Sequence, residues 1–583
     1  MRRKTFTYPM TNSLTQSLQG PGDSGIFSIP SLTVWREAKF YSTDMTDDGA
    51  GLISQWNDHE TANGATADNM VATGANRPTY GATLLNGGYP ALNFNTSNLM
   101  EAVDSVDYDF TTGRDVYLGV EFYTITGADQ FLWRRYTVRE MQFYLDSTGY
   151  IEVQASTTGA SSDRLVRSAV QIVKNGKYLI HAYWDGAELG ISVKRETPVT
   201  TAMTAMNAGA SPTRIGSVST FHTLGYIFLE GYSNKKLTAA EEAVIESHAY
   251  SRYWSPITLH GIGQSLIEYY GTRGGETAFA DVGGRYYRPD NITFDNSAVA
   301  STPLLKAVAD LAGGTDYWWN ESTGEAGPLL IAAYAAASNP PDVVLWDGCQ
   351  DDRSSGAVTS KAQIKNALSA MFADIHTTWP NAKILIQTIG TSKAINGASN
   401  NKDRNTQWVR EAEQELVDEL AYVYFCQETF DQATSDSVHP TSFITLGQRL
   451  ARRVAEVGGL TVAGGTVGPT LVSAAGTGAN TLTATINHDV GTDFTPTTGI
   501  AGFVVFSDGA LNKVTAAARA SATTINITCE NSLGANNTLY HIYGMMSSDF
   551  VTASPSVAFD PANVLVDNST NALPLQAGKV TIT

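Results

Sequence analysis

Cysteine is scarce in this chain: 583 residues contain three, Cys349, Cys426 and Cys529. They lie far apart and form no Cys-x-x-Cys pair, which excludes a disulfide framework and a zinc knuckle as sources of stability. Charge is scarce as well, at 16% of residues, and the balance is acidic, with a formal net charge of −19. No Lys/Arg cluster occurs beyond Arg2-Arg3-Lys4. The basic stripe that phosphate binding requires is therefore missing, which argues against a nucleic-acid partner. Long apolar runs are absent too: nothing approaches the roughly 18 residues of a membrane span. Arg2-Arg3-Lys4 leads into Thr5-Phe6-Thr7-Tyr8-Pro9 rather than the apolar stretch of a signal peptide. Neither a signal peptide nor membrane insertion is expected. Asp351-Asp352 and the Asp44, Asp47 and Asp48 group have no His at ligand spacing, so neither a metal nor a cofactor is expected.

What is present is a 42% hydrophobic chain with 52 glycines, a mixture that suits β-rich domains with polar turns. At about 150 residues per domain, the length predicts three or four domains. Residues 1–31 lack periodicity and read as an arm or attachment segment. Residues 32–254 carry short alternating runs between turn signals, at 115–123, 141–145, 150–153, 177–184 and 189–193. Such runs predict an antiparallel β-sandwich. It closes with Thr238 and Glu241 as a capping box before a helix at 242–253. Within 255–457 the pattern changes to apolar strands at 257–260, 342–346, 383–388 and 422–425. Helical patterns at 361–378, 404–421 and 443–456 separate them. Strands apolar on both faces and alternating with helices predict a parallel sheet with helices on each side, with ligands at the carboxyl ends of the strands. After a Gly-rich linker at 458–466, residues 467–583 return to alternating segments and read as a second, smaller β-sandwich.

Three elements of the central region carry chemistry. Gly263-Gln264-Ser265 follows its first strand, where a tight turn lifts a hydroxyl above the sheet edge. On its own, such a motif reads as a turn serine, since Gly-x-Ser is common in a chain this rich in both residues. Asp436-Ser437-Val438-His439-Pro440 precedes the last helix, and His439 is the one histidine of nine with an Asp three residues upstream. A serine nucleophile needs a general base, and the imidazole needs a carboxylate to fix its tautomer. Trp346-Asp347-Gly348-Cys349-Gln350-Asp351-Asp352 ends an apolar strand, and the Gly turn could aim the Gln350 amide above Ser265 as an oxyanion donor. Cys349 and Cys426 compete weakly as nucleophiles, since neither has a neighbouring base.

Taken together, these elements resemble the SGNH (GDSL-like) hydrolases over the whole central region, and more closely the carbohydrate esterases acting on O-acetylated sugars, including sialate O-acetylesterase-like domains. The resemblance implies Ser265 as nucleophile, His439 as base, Asp436 as its partner, and the Ser265 N–H as one oxyanion donor. Two departures stand out. Gln350 occupies a place usually held by Asn or Glu. The stretch Asn296 to Thr302 puts Ala300 or Ser301 where the family has Gly, and a positive φ there would strain either.

Gln55-Trp56-Asn57-Asp58, Asn76-Arg77-Pro78-Thr79-Tyr80, Pro90-Ala91-Leu92-Asn93-Phe94 and the Leu237-Thr238-Ala239-Ala240-Glu241-Glu242 helix start resemble the concanavalin A-like (laminin-G-type) sandwich, whose aromatics are mostly core. Asn487-His488-Asp489, Gly502 to Phe506, Val566-Asp567-Asn568 and Leu573-Pro574-Leu575 resemble accessory β-domains of phage-encoded esterases. These resemblances imply a serine O-acetylesterase acting on a surface polysaccharide, with a lectin-like sandwich in front. A phage tail or virion spike is implied, extracellular and released by lysis, homo-oligomeric with a trimer expected, and attached to other virion proteins through the N-terminal arm. The competing expectation is a non-catalytic glycan- or receptor-binding virion protein on a degenerate esterase fold. A lipase or peptidase is a third, without an apolar lid segment near Ser265 to support lipids.

Overall fold

The computed structural model describes residue 29 and residues 32–38, 45–47, 51–58, 69–95, 97–102, 113–135, 140–159, 161–193, 196–207, 212–216, 221–337, 339–389, 401–433, 439–542 and 561–583. The expected N-terminal arm lies outside these residues apart from Ile29. The chain divides into two compact units, with the principal break between Tyr253 and Trp254.

The first unit is built from antiparallel sheets of eight and nine strands. Strands Arg114–Phe122, Lys177–Trp184 and Gly225–Ser233 are neighbours at the centre of one sheet. Period-two alternation sends Val116, Leu118 and Val120 inward to meet Trp133, Phe143 and Ile151 of the other sheet in one core. Trp56, Leu92 and Phe94, which carry much of the lectin-like resemblance, are fully buried in that core. The closing helix runs Ala239–Tyr253. Its start is the predicted capping box: Glu241 N–H donates to Thr238 Oγ1 and Thr238 N–H to Glu241 Oε2, at 3.3 and 2.8 Å.

The second unit opens with an α/β layer, whose elements are β1 Ser255–Gly263, α1 Ser265–Thr272, α2 Gly275–Gly283, β2 Tyr287–Asn296, α3 Lys306–Ala312, α4 Pro328–Ala336, β3 Val343–Asp347, α5 Lys361–Thr378, β4 Lys383–Gln387, α6 Asn401–Glu419, β5 Val423–Gln427 and α7 Ile444–Val457. The five strands are all parallel, in the order β2-β1-β3-β4-β5. Both faces are buried, as the continuous apolar runs require. Val343 and Leu345 face α1, α2 and α7, whereas Val344 and Trp346 face α3 to α6. The chain passes from β1 outward to β2 and then crosses to β3 on the other side, so the order reverses at the carboxyl end of β1. Open α/β sheets bind ligands at such a crevice.

The C-terminal layer is one eight-stranded, mostly antiparallel sheet with a two-stranded companion, enclosing its own core around Ile525, Ile527, Leu539 and Leu575. The stretch read as a linker is tied down: Thr466 N–H donates to Asp489, and Asn571 Nδ2 donates to the carbonyls of Ala463 and Gly465. Arg410 of α6 reaches the carbonyl of Ile542 at 2.7 Å, and the N–H of Ala577 reaches Glu428 at 2.9 Å.

Candidate active site

The end of β1 determines where Ser265 stands. Gly263 pairs with Asp347 of β3 in a backbone conformation of φ +121°, and the Gln264 N–H donates to the Asp347 carbonyl at 2.8 Å. The chain then turns directly into α1, with Gln264 at the cap and Ser265 as the first helical residue. The first N–H groups of a helix have no intrahelical acceptor and lie at the positive end of its dipole. The half-buried Ser265 hydroxyl therefore sits beside N–H donors at the sheet's switch point.

Ser265 Oγ lies 2.7 Å from His439 Nε2, although 174 residues separate them. The imidazole is held from α1 as well. Tyr269, one turn beyond Ser265, meets it edge-on, with ring centroids 4.9 Å apart and planes at 89°. Arg273 stacks on Tyr269 at 4.1 Å and donates through Nη1 to the Pro440 carbonyl. The Arg273 carbonyl accepts from Phe443 N–H at 3.0 Å. Asp436 lies outside the described residues.

Gln350 is not presented above Ser265 as expected. Its side-chain Nε2 donates to Asp347, a carboxyl at the end of β3 that also accepts from Gln387 Nε2 at 2.7 Å. The physical reason is burial. Asp347 is wholly enclosed, desolvation pushes its carboxyl up to about 7, and the Gln350 and Gln387 side-chain amides supply the donors it has no water to take from. The Gln350 backbone N–H instead donates to Gln264 Oε1 at 2.7 Å, while Gln264 Nε2 reaches Asp351 at 2.7 Å and the Thr302 carbonyl. Gln264, to which the sequence reading gave no role, thus ties three loops together beside Ser265. Cys349 and Cys426 are fully buried, and burial raises both thiols, Cys426 to about 12, which suits core residues rather than nucleophiles.

The loop after β2 resolves the choice between Ala300 and Ser301. Ser297 N–H donates to the Gly261 carbonyl at 2.9 Å and Val299 N–H to that of Gly263 at 3.0 Å. Ala298 N–H is taken by Asn296 Oδ1 at 3.1 Å, and Ala300 N–H by the Glu268 carboxylate at 2.8 Å. Ala300 is therefore corrected as an oxyanion donor, because its N–H already has a strong acceptor. The exposed Ser301 has φ +57°, the left-handed conformation that a glycine would adopt without strain. Ser301→Gly is expected to raise stability by about 1 kcal/mol while leaving the backbone N–H in place, as read by a urea midpoint. A lower midpoint would contradict the strain argument.

In the first unit, Asp115, His181 and Glu242 bring ligand atoms within 4.8 Å of one another. The cation there is already internal: Lys236 Nζ bonds Glu242 and lies 3.3 Å from Asp115, and it sits over the Tyr183 ring at 4.5 Å. The cluster is an ion network that closes the helix start, with Leu237 N–H also donating to Asp115.

No family model matches the chain, and no curated relative matches it. Among solved structures it is similar to the receptor-binding domain of botulinum neurotoxin D, at 8% identity and a TM-score of 0.30, over 39% of this chain and 55% of that one. The binding domain of Paraclostridial Mosquitocidal Protein 1 gives 9% identity and 0.30, over 39% and 54%. Trypanosoma rangeli sialidase in complex with the inhibitor DANA gives 10% and 0.26, over 36% and 32%. The chain spans about half the length of the toxin domains it matches.

Proposed function

We propose that the α/β layer is a serine ester hydrolase and that its substrate is an O-acetylated polysaccharide. The observation that carries this reading is the 2.7 Å approach of Ser265 Oγ to His439 Nε2 at the switch point of a parallel sheet. In the acylation step the hydroxyl proton passes to His439 Nε2 as Oγ attacks the ester carbonyl. The negative charge that develops on the carbonyl oxygen is met by the Ser265 N–H at the start of α1 and by the Ser301 N–H. His439 returns its proton to the departing sugar oxygen, leaving an acetyl-serine that water hydrolyses by the same relay. Asp436, three residues before His439, is assigned to Nδ1. The wider setting we propose is a homo-oligomeric virion spike that engages a host surface glycan. No helix among the described residues is long and apolar enough to cross a membrane.

The second reading is a glycan-binding module that has lost catalysis. It draws on the withdrawal of Gln350 to Asp347, which leaves the oxyanion position without a side-chain amide donor from that loop. Hydrolysis of a small acetyl ester separates the two. Wild type is expected to turn over, and Ser265→Ala or His439→Ala to fall by at least about a thousandfold. Inert wild type on every acetyl ester, with retained glycan binding, would establish the second reading instead.

A further inference from the structure

We infer that Glu268 is a positioning residue for the oxyanion site, and that by holding the Ala300 N–H it leaves Ser301 as the donor of its loop; the inference rests on the hydrolase reading above. Four successive N–H groups, from Ser297 to Ala300, each have an acceptor: the Gly261 carbonyl, Asn296 Oδ1, the Gly263 carbonyl and Glu268 Oε2. Ser301 is the first beyond them for which no acceptor occurs among the described residues, and it is exposed. Three of these anchors come from the β1 and β2 ends. The fourth is the single side-chain contact from α1, made by a residue three positions after the nucleophile.

That spacing has a physical consequence. Positions i and i+3 of a helix lie on one face, so Ser265 and Glu268 project from the same side of α1. Any shift of the helix start would carry the nucleophile and the loop anchor together. A carboxylate accepting a backbone N–H makes a stronger bond than a neutral acceptor does. The bond fixes the peptide plane just ahead of Ser301 and holds its left-handed turn, φ +57°, against relaxation. Oxyanion donors tolerate only about half an ångström of misplacement, so the cost of losing the anchor falls on the transition state and not on the ground-state complex. The opposite role, a carboxylate plugging a donor that catalysis needs, predicts a gain in rate when it is removed.

The experiment compares wild type, Glu268→Gln, Glu268→Ala and Ser265→Ala as full-length chains on one acetyl ester, with hydrogen exchange measured over the 297–302 segment. Glu268→Ala is expected to lose about tenfold in kcat with KM unchanged and to exchange faster in that segment. Glu268→Gln, which keeps an acceptor oxygen, is expected to stay within about twofold of wild type in both readouts. An active wild type whose kcat is unchanged or raised in Glu268→Ala overturns the inference and leaves the hydrolase reading standing. So does equal loss in the Gln and Ala variants. A wild type as inert as Ser265→Ala overturns both.

Discussion

Gly263→Ala is expected to be the most damaging single-methyl change in the second unit, preventing folding of the α/β layer or lowering its stability by about 4–5 kcal/mol. A Cβ on Gly263 would lie 2.0 Å from the Asp347 carbonyl oxygen and 2.7 Å from the carbonyl carbon, both backbone atoms of the neighbouring strand that cannot swing aside. The φ of +121° adds strain for any L side chain. Relief would require β1 and β3 to separate at their carboxyl ends. That separation would break the Gln264 N–H bond to Asp347 and withdraw Gln264 from Gln350, Asp351 and Thr302. Ser265 would lose its position even in a chain that still folded. Expression, limited proteolysis and a urea titration read the outcome. A soluble variant with the wild-type midpoint and wild-type hydrolysis would show that the strand ends separate at little cost.

The layer order was legible because parallel strands buried on both faces are written as unbroken apolar runs. Segments such as Val343–Asp347 and Lys383–Gln387 were therefore predicted to within a residue or two, as was the helix Lys361–Thr378. Strand Tyr287–Asn296 was missed. It is the edge strand beyond β1, only partly buried, and it carries Pro289, which is tolerated at an edge. Helices α1 and α2 are only eight and nine residues long, too short for a clear period. In the site, the Ser265–His439 pairing is what the resemblance carried by the three motifs implies. Gln350 was assigned wrongly because its fate depends on a buried neighbour, Asp347, whose enclosure no local pattern discloses. Glu268 could have been found only by knowing that α1 begins at Ser265. From that starting point, the three-residue spacing places it on the same face as Ser265.

Buried acids set the second large expectation, that the second unit gains stability on mild acidification. Burial pushes Asp347 up to about 7, with Gln387 and Gln350 bonding and the Arg353 charge opposing the rise. Asp352, which accepts from the N–H groups of Leu304 and Leu305, is also raised by burial to about 7. Glu413 and Glu428 are raised by the same cause. Between the ordinary carboxylate range and pH 7 the folded chain holds protons that the unfolded chain has released. Stability therefore falls as pH rises through that window, and the full penalty applies above it. For Asp347 alone a rise of about three units corresponds to about 4 kcal/mol. His541 works in the opposite sense: burial lowers it to about 4, so its share of stability is lost as pH falls from its unfolded value toward 4. The acids act without this opposition from pH 8 down to about 6.5, and the urea midpoint is expected to climb there. Below about 6.5 it should keep climbing, because there the folded acids hold the most protons relative to the unfolded chain, with His541 offsetting part of the gain. Asp347→Asn is expected to raise the midpoint at pH 8 and flatten the climb. The Gln350 amide could then turn to offer Oε1, which has no partner among the described residues, to the new Asn N–H₂. A wild-type midpoint that stays level or drops from pH 8 to 6.5, or an Asn variant with the wild-type slope, would show that Asp347 is ionised in the folded protein throughout.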